Sequence, residues 1–167
     1  MLIEYNKNIL QFYMFLEYVV SVIKGFMLSG GVYVFGLFLD ELVSHETKDI
    51  LIRENEKLLK EAEGMIQQNL LVVSPLVYGV VDNLFLNHTK GFEVINFSSL
   101  ILIQNLGYFF VHREMHRNKK IYWMHKFHHK FDRILIPSIG NAVSVFEFCL
   151  AYVVPIVSGA AILKPSE

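Results

Sequence analysis

The sequence predicts an all-α fold: an integral-membrane helical bundle of three to four apolar helices, carrying a histidine-rich cap on its cytosolic side. Three observations carry this expectation. The chain is 53% hydrophobic and only 19% charged, with a mean hydropathy of +0.39, where soluble domains lie near 45–50% apolar and roughly 25% charged. Four long apolar stretches interrupt it. Between the last two, HREMHRNKKIYWMHKFHHK gathers five of the seven histidines into eighteen positions.

The first apolar stretch, about 18–39, is broken only by Lys24 and contains the small-residue patch Ser29-Gly30-Gly31. A helix crossing a bilayer needs about 20 predominantly apolar residues, and this one has them. The segment MLIEYNKNIL before it carries Glu4 and lacks the basic-then-apolar order of a cleaved signal peptide, so insertion is expected from the body of the chain. Residues 44–66 follow, dense in mixed charge with Ile50, Ile52, Leu58, Leu59 and Met65 recurring among them. That pattern predicts an amphipathic linker helix lying on the membrane surface, with His45 a surface residue at its start.

The second apolar stretch, about 69–86, holds Pro75 and Asp82, the latter expected at the membrane interface. The third, about 95–111, has no charge. The fourth, about 141–163, contains Glu147 and Pro155. An ionisable group inside an apolar segment is costly in hydrocarbon and is often functional. The two outer stretches are long enough to span and the two inner ones are marginal, hence three to four helices. Net charge is only −1, which gives no global reason to expect nucleic-acid binding. The single cysteine, Cys149, cannot form an intrachain disulfide and reads as a small buried apolar residue.

Residues 113–133 carry Arg113, Arg117, Lys119, Lys120, Lys126, Lys130 and Arg133, the densest basic cluster in the chain. Basic loops tend to stay in the cytosol, which places the histidines there and the sequon Asn87-His88-Thr89 on the far side. Tyr122 and Trp123 are expected at headgroup depth.

His112 and His116 are four apart, so on a helix they share a face one turn from each other. His128 and His129 stand three and four residues after His125, which returns both to its face. Imidazole is neutral near physiological pH and is the commonest nitrogen ligand of iron, copper and zinc. Metal ligation by His112, His116, His125, His128 and His129 is therefore expected. Headgroup binding by the lysines and arginines would explain the positive charge but not five histidines at helical spacing. A pH sensor has no need of metal-ligand intervals. A zinc protease helix would place glutamate directly after the first histidine, whereas Glu114 comes two after His112.

These motifs, HREMH after Tyr108-Phe-Phe-Val and YWMHKFHHK between apolar segments, resemble the fatty acid hydroxylase and sterol desaturase superfamily of integral-membrane non-haem iron enzymes. The family's first two histidine boxes have the forms HxxxH and HxxHH. The stretch 136–155, IPSIGNAVSVFEFCLAYVVP, is similar to the segment that follows the second box in some members. The resemblance implies a di-iron centre, with zinc possible in purified protein. It also implies dioxygen as co-substrate, a membrane lipid (fatty acid or sterol) to be hydroxylated or desaturated, and a cytochrome b5-like or reductase electron donor in the endoplasmic reticulum. It divides the chain into 1–94, membrane helices with the linker, and 95–167, a partial fatty acid hydroxylase domain. It gives Asn141 and Glu147 a role supporting the ligands, and Asn105 the place of a family aspartate before the first box. A basic patch around Lys119, Lys120 and Lys126 would steer an acidic donor. The family's third histidine box has no counterpart after His129. The remaining ligands are thus expected from a missing C-terminal half or a second chain. Two other readings stand beside this one: a non-catalytic membrane protein with a partial metal site, and a lipid-surface anchor.

Overall fold

A computed structural model of the chain describes residues 2–86, 94–131 and 136–164, with side chains from residue 7 onward. The sequon at 87–89, Arg133 and the last three residues lie outside the described part. Everything described is helical or connecting, with no strand among those residues. Three helices are long and apolar enough to cross a membrane: Lys7–Leu84, Val94–Arg117 and Val145–Leu163.

The first of these doubles back. Helix α1, Leu2–Gln67, leaves helical geometry at Ser44 and again at Asn55. At Asn55 the side-chain Oδ1 accepts from the Leu58 N–H at 3.2 Å, the bond by which asparagine caps the start of a new helix. The chain reverses across these two breaks, and α1 continues through a π-helical turn, Gln68–Val73, into α2, Ser74–Leu84. Contacts between the two limbs run in opposite order. Tyr33 meets Gln67, Gly25 meets Pro75, Val22 meets Gly79, and Ser21 meets Asn83. That is an antiparallel hairpin.

A second hairpin follows the same plan. Helix α3, Val94–Arg117, pairs with the helix formed by α5, Val145–Glu147, a π-helical turn, Phe148–Val153, and α6, Val154–Leu163. Ile103 meets Gly159 and Gly107 meets Pro155, while Tyr108 meets Tyr152 at 5.1 Å between ring centroids. Both returning helices widen into a π turn that ends two residues before a proline. Proline has no N–H to donate and its ring crowds the carbonyl one turn back, so the helix relaxes there. The prolines belong to matching pentapeptides, Pro75-Leu-Val-Tyr-Gly79 and Pro155-Ile-Val-Ser-Gly159, and each proline packs against a glycine of the partner helix. A Cβ at Gly107 would stand 2.6 Å from the Pro155 Cβ, and one at Gly25 would stand 2.7 Å from the Tyr78 Cβ. Only a hydrogen fits at either place.

Apolar side chains on the outer faces are exposed, among them Phe12, Met27, Phe35, Ile101, Phe109 and Ile162. Such a surface suits lipid rather than water. Asp82, two residues before the end of α2, is buried against the protein. His45 is at the surface, 2.9 Å from Glu41.

The linker differs from its expectation in one respect. It is helical and charged, but its inner face is Leu51, Leu59, Ala62 and Ile66, all buried, while Ile50 and Ile52 are exposed. That face packs against Phe127, Phe131, Ile136, Ile139 and Ala142. The linker therefore closes over the segment after the histidines rather than lying alone on a membrane. Burying a phenylalanine or isoleucine contributes roughly 1.5–3 kcal/mol, so this small core holds the histidine segment to the bundle. Asp40, 1% exposed, adds a polar clamp by accepting from the Ser138 N–H at 2.8 Å.

Candidate metal centre

The five histidines come from three short elements. His112 and His116 lie on the last turns of α3. His125 ends α4, Tyr122–His125, and His128 and His129 open a 3₁₀ turn, His128–Phe131. The second motif is thus a helix end and a tighter turn, not one continuous helix. Its rings nevertheless converge. The His125 ring centroid lies 4.4 Å from those of His112 and His116, 4.2 Å from His128 and 4.7 Å from His129.

His125 is completely buried and both of its nitrogens are engaged. Nδ1 is 2.8 Å from Glu147 Oε1. Nε2 is 2.9 Å from His116 Nε2 and 2.8 Å from His129 Nε2. The carboxylate is placed by Ser144, whose hydroxyl accepts from the Glu147 N–H at 3.1 Å and donates to the Met124 carbonyl at 2.6 Å. One serine therefore caps the helix that carries Glu147 and ties it to the residue before His125. Two further imidazoles face the same carboxylate oxygen: His128 Nδ1 at 3.6 Å and His112 Nδ1 at 4.0 Å.

Hydrogen bonding alone cannot satisfy this arrangement. A neutral imidazole has one N–H and one bare nitrogen. With its Nδ1–H on Glu147, His125 has one lone pair at Nε2, yet two other Nε2 atoms crowd it. Nδ1 of His112, Nδ1 of His128 and Oε2 of Glu147 are buried with no hydrogen-bond partner among the described residues. Each such atom costs about 1–3 kcal/mol when left unpaired. A cation removes the conflict. Two groups of potential ligand atoms, each within 4.8 Å of one another, are available: His112, His125, His128 and Glu147, and His116, His125 and His129. Ligands at right angles about a metal, with bonds of about 2.1 Å, stand about 3.0 Å apart, close to the two Nε2 separations. The residues fit a transition-metal ion.

Burial lowers the pKa of His125 from the ordinary 6.5, against the opposing pull of the Glu147 carboxylate. Burial likewise lowers that of His129. Both shifts keep the rings neutral and ready to ligate. The two groups differ in access, since His116 and His129 are exposed while His125 and Glu147 are fully buried.

The other residues singled out in the sequence fall at varied distances from this centre. Glu147 stands at its middle rather than at its margin. Asn141 lies on the connection before α5, where its carbonyl accepts from Asn69 Nδ2 at 3.5 Å. Asn105 is exposed, and its amide donates to the Ile101 carbonyl on its own helix at 2.8 Å. Lys119, Lys120 and Lys126 are all exposed around the turn joining α3 to α4. Glu114 is exposed and pairs with Arg117 at 3.5 Å, which removes it from any metal-bound water. Trp123 is 52% exposed, as an interfacial anchor would be.

Two features went unread in the sequence. Ser144-Val-Phe-Glu147 is the S-x-x-E pattern of a capped helix start, and it announces the element that delivers the carboxylate. Tyr108 and Tyr152 form a partition. Tyr108 and His128 line a small cavity of about 170 Å³, whereas Tyr152 lines a larger one of about 560 Å³ between the hairpins. No protein-family model matches the chain, and neither does any curated protein or solved structure.

Proposed function

We propose that this chain is the membrane-embedded, iron-binding part of an enzyme that hydroxylates or desaturates a lipid with dioxygen as co-substrate. The observation that carries the reading is the convergence of five imidazoles and Glu147 with three of their buried polar atoms unpartnered. Bound iron supplies accessible redox states for activating dioxygen against a C–H bond. Glu147 holds the His125 ring in the tautomer that leaves Nε2 free for metal. His112 and His128 present Nδ1 on the buried side, and His116 and His129 present Nε2 on the exposed side. Tyr108 and Tyr152 separate the centre from the apolar cavity where a lipid would lie. The basic cluster favours a cytosolic position for the centre, and the resemblance to membrane hydroxylases favours the endoplasmic reticulum. Lys119, Lys120 and Lys126 offer a cytochrome b5-like or reductase donor a positive docking face.

A second reading is favoured by one observation. His116 and His129 are exposed and, with His125, give only three nitrogens. Three nitrogens hold a single ion without completing a dinuclear centre, and a protein with this set would retain metal without turnover. The two readings separate on lipid products. Membranes holding this chain, a reduced electron donor and a co-expressed polypeptide bearing a further HxxHH motif should accumulate oxygenated or newly unsaturated lipid by mass spectrometry. His112→Ala should abolish that product, and the chain without the added motif should make little. Full metal loading with no product under any of these conditions leaves the non-catalytic reading standing.

A further inference from the structure

The 560 Å³ cavity lies between the hairpins, and among the described residues its lining holds no charged side chain. Its two ends differ. Toward the histidines it is bounded by Asn141, Tyr152 and Gln104; toward the other it is bounded by Val81, Leu86 and Phe97. Gln104 lies eight residues before His112 on α3, about 12 Å along the helix axis, and Phe97 lies about 10 Å further away. The side-chain oxygen of Gln104 is buried without a hydrogen-bond partner among the described residues. Ser29, in contrast, is satisfied, donating to the Gly25 carbonyl at 2.8 Å. The histidine end therefore offers an unused acceptor, and the described residues of the far end, Val81, Leu86 and Phe97, offer hydrocarbon.

We propose that this cavity binds one neutral lipid, polar end toward the histidines, whose hydroxyl or amide N–H donates to Gln104 while its hydrocarbon extends toward Val81 and Phe97. A carboxylate or phosphate would be buried there without a cation, which disfavours free fatty acids and phospholipid headgroups. An alcohol or amide meets an acceptor that is otherwise unpaired. Taken with the oxidase reading, on which this one consequence rests, the orientation puts the reacting carbon near the lipid's polar group rather than near its tail.

The test is binding, not turnover, so it stands whether or not the centre oxidises anything. The full chain in nanodiscs is titrated with tritiated 1-hexadecanol, hexadecyl methyl ether and hexadecane. The alcohol should bind saturably and about tenfold more tightly than the ether or the alkane, and Gln104→Leu should erase that difference. Hexadecanol carrying a diazirine halfway along its chain, about 10 Å from the hydroxyl when extended and so level with Phe97, should crosslink wild-type protein at Val81, Leu86 or Phe97, a measurement that needs no variant to fold. Equal binding of all three probes overturns the donor requirement. Crosslinks at Asn141 or Tyr152 overturn the orientation, and no saturable binding overturns the site.

Discussion

His125 has two ring nitrogens, and each faces a different set of partners. Glu147 holds one and the remaining histidines crowd the other. Residues that orient a metal-bound histidine typically contribute 10–100-fold to metal affinity. Glu147→Gln should weaken iron or zinc retention by about that factor while leaving the chain in the membrane, and Glu147→Ala should do so at least as severely. Unchanged affinity in Glu147→Gln, measured by competition with a metal chelator, would remove the carboxylate from the centre. The lowered pKa values of His125 and His129 give a second expectation at this scale. Protons compete with metal for imidazole, and a ring whose folded pKa lies below 6.5 stays neutral further into acid. Occupancy should therefore persist as pH falls past 6.5 and be lost only as it passes through the lowered values. A midpoint of release at or above pH 6.5, by equilibrium dialysis, contradicts this.

At the scale of elements, the molecule consists of two hairpins closed by the same device, a π turn and proline on one helix against glycine on its partner. Gly107→Val must push α3 from Pro155. Overpacking of this kind costs about 1–3 kcal/mol, and here it moves the helix bearing His112 and His116 relative to the one bearing Glu147. Reduced thermal stability in detergent together with weakened metal retention is the expected outcome. Wild-type behaviour in both would show that the close approach is dispensable. The helices themselves were legible in the sequence, because apolar length dictates them. The linker expected to begin at 44 does start at the break at Ser44, but the break at Asn55 was not legible, since asparagine does not forbid helix and only the packing of Tyr33 on Gln67 and Gly25 on Pro75 makes the reversal visible. Of the linker's recurring apolar residues, Leu58, Leu59 and Met65 pack on the inner face and Ile50 and Ile52 do not. Ile50 and Ile52 are as apolar as Leu51, and hydropathy cannot tell which of three neighbours points inward. The matching pentapeptides after Pro75 and Pro155 were open to inspection throughout.

For the whole molecule, the membrane helices act as a frame and the histidine segment as a lid held down by the linker. Hydrophobic matching fixes the frame, but the site depends on three-dimensional closure. Spacing singled out all five histidines, but the helical-turn argument holds only for His112 and His116, because His125, His128 and His129 converge through a helix end and a 3₁₀ turn. It could not place Glu147 at their centre, twenty-two residues from His125. The central claim is that these side chains hold a transition metal. The direct measurement is elemental analysis of detergent-purified protein beside His125→Ala, with membrane insertion checked in both. The account predicts transition metal bound to the wild type and lost from an inserted variant. A wild type free of metal, or equal metal in the two proteins, contradicts it.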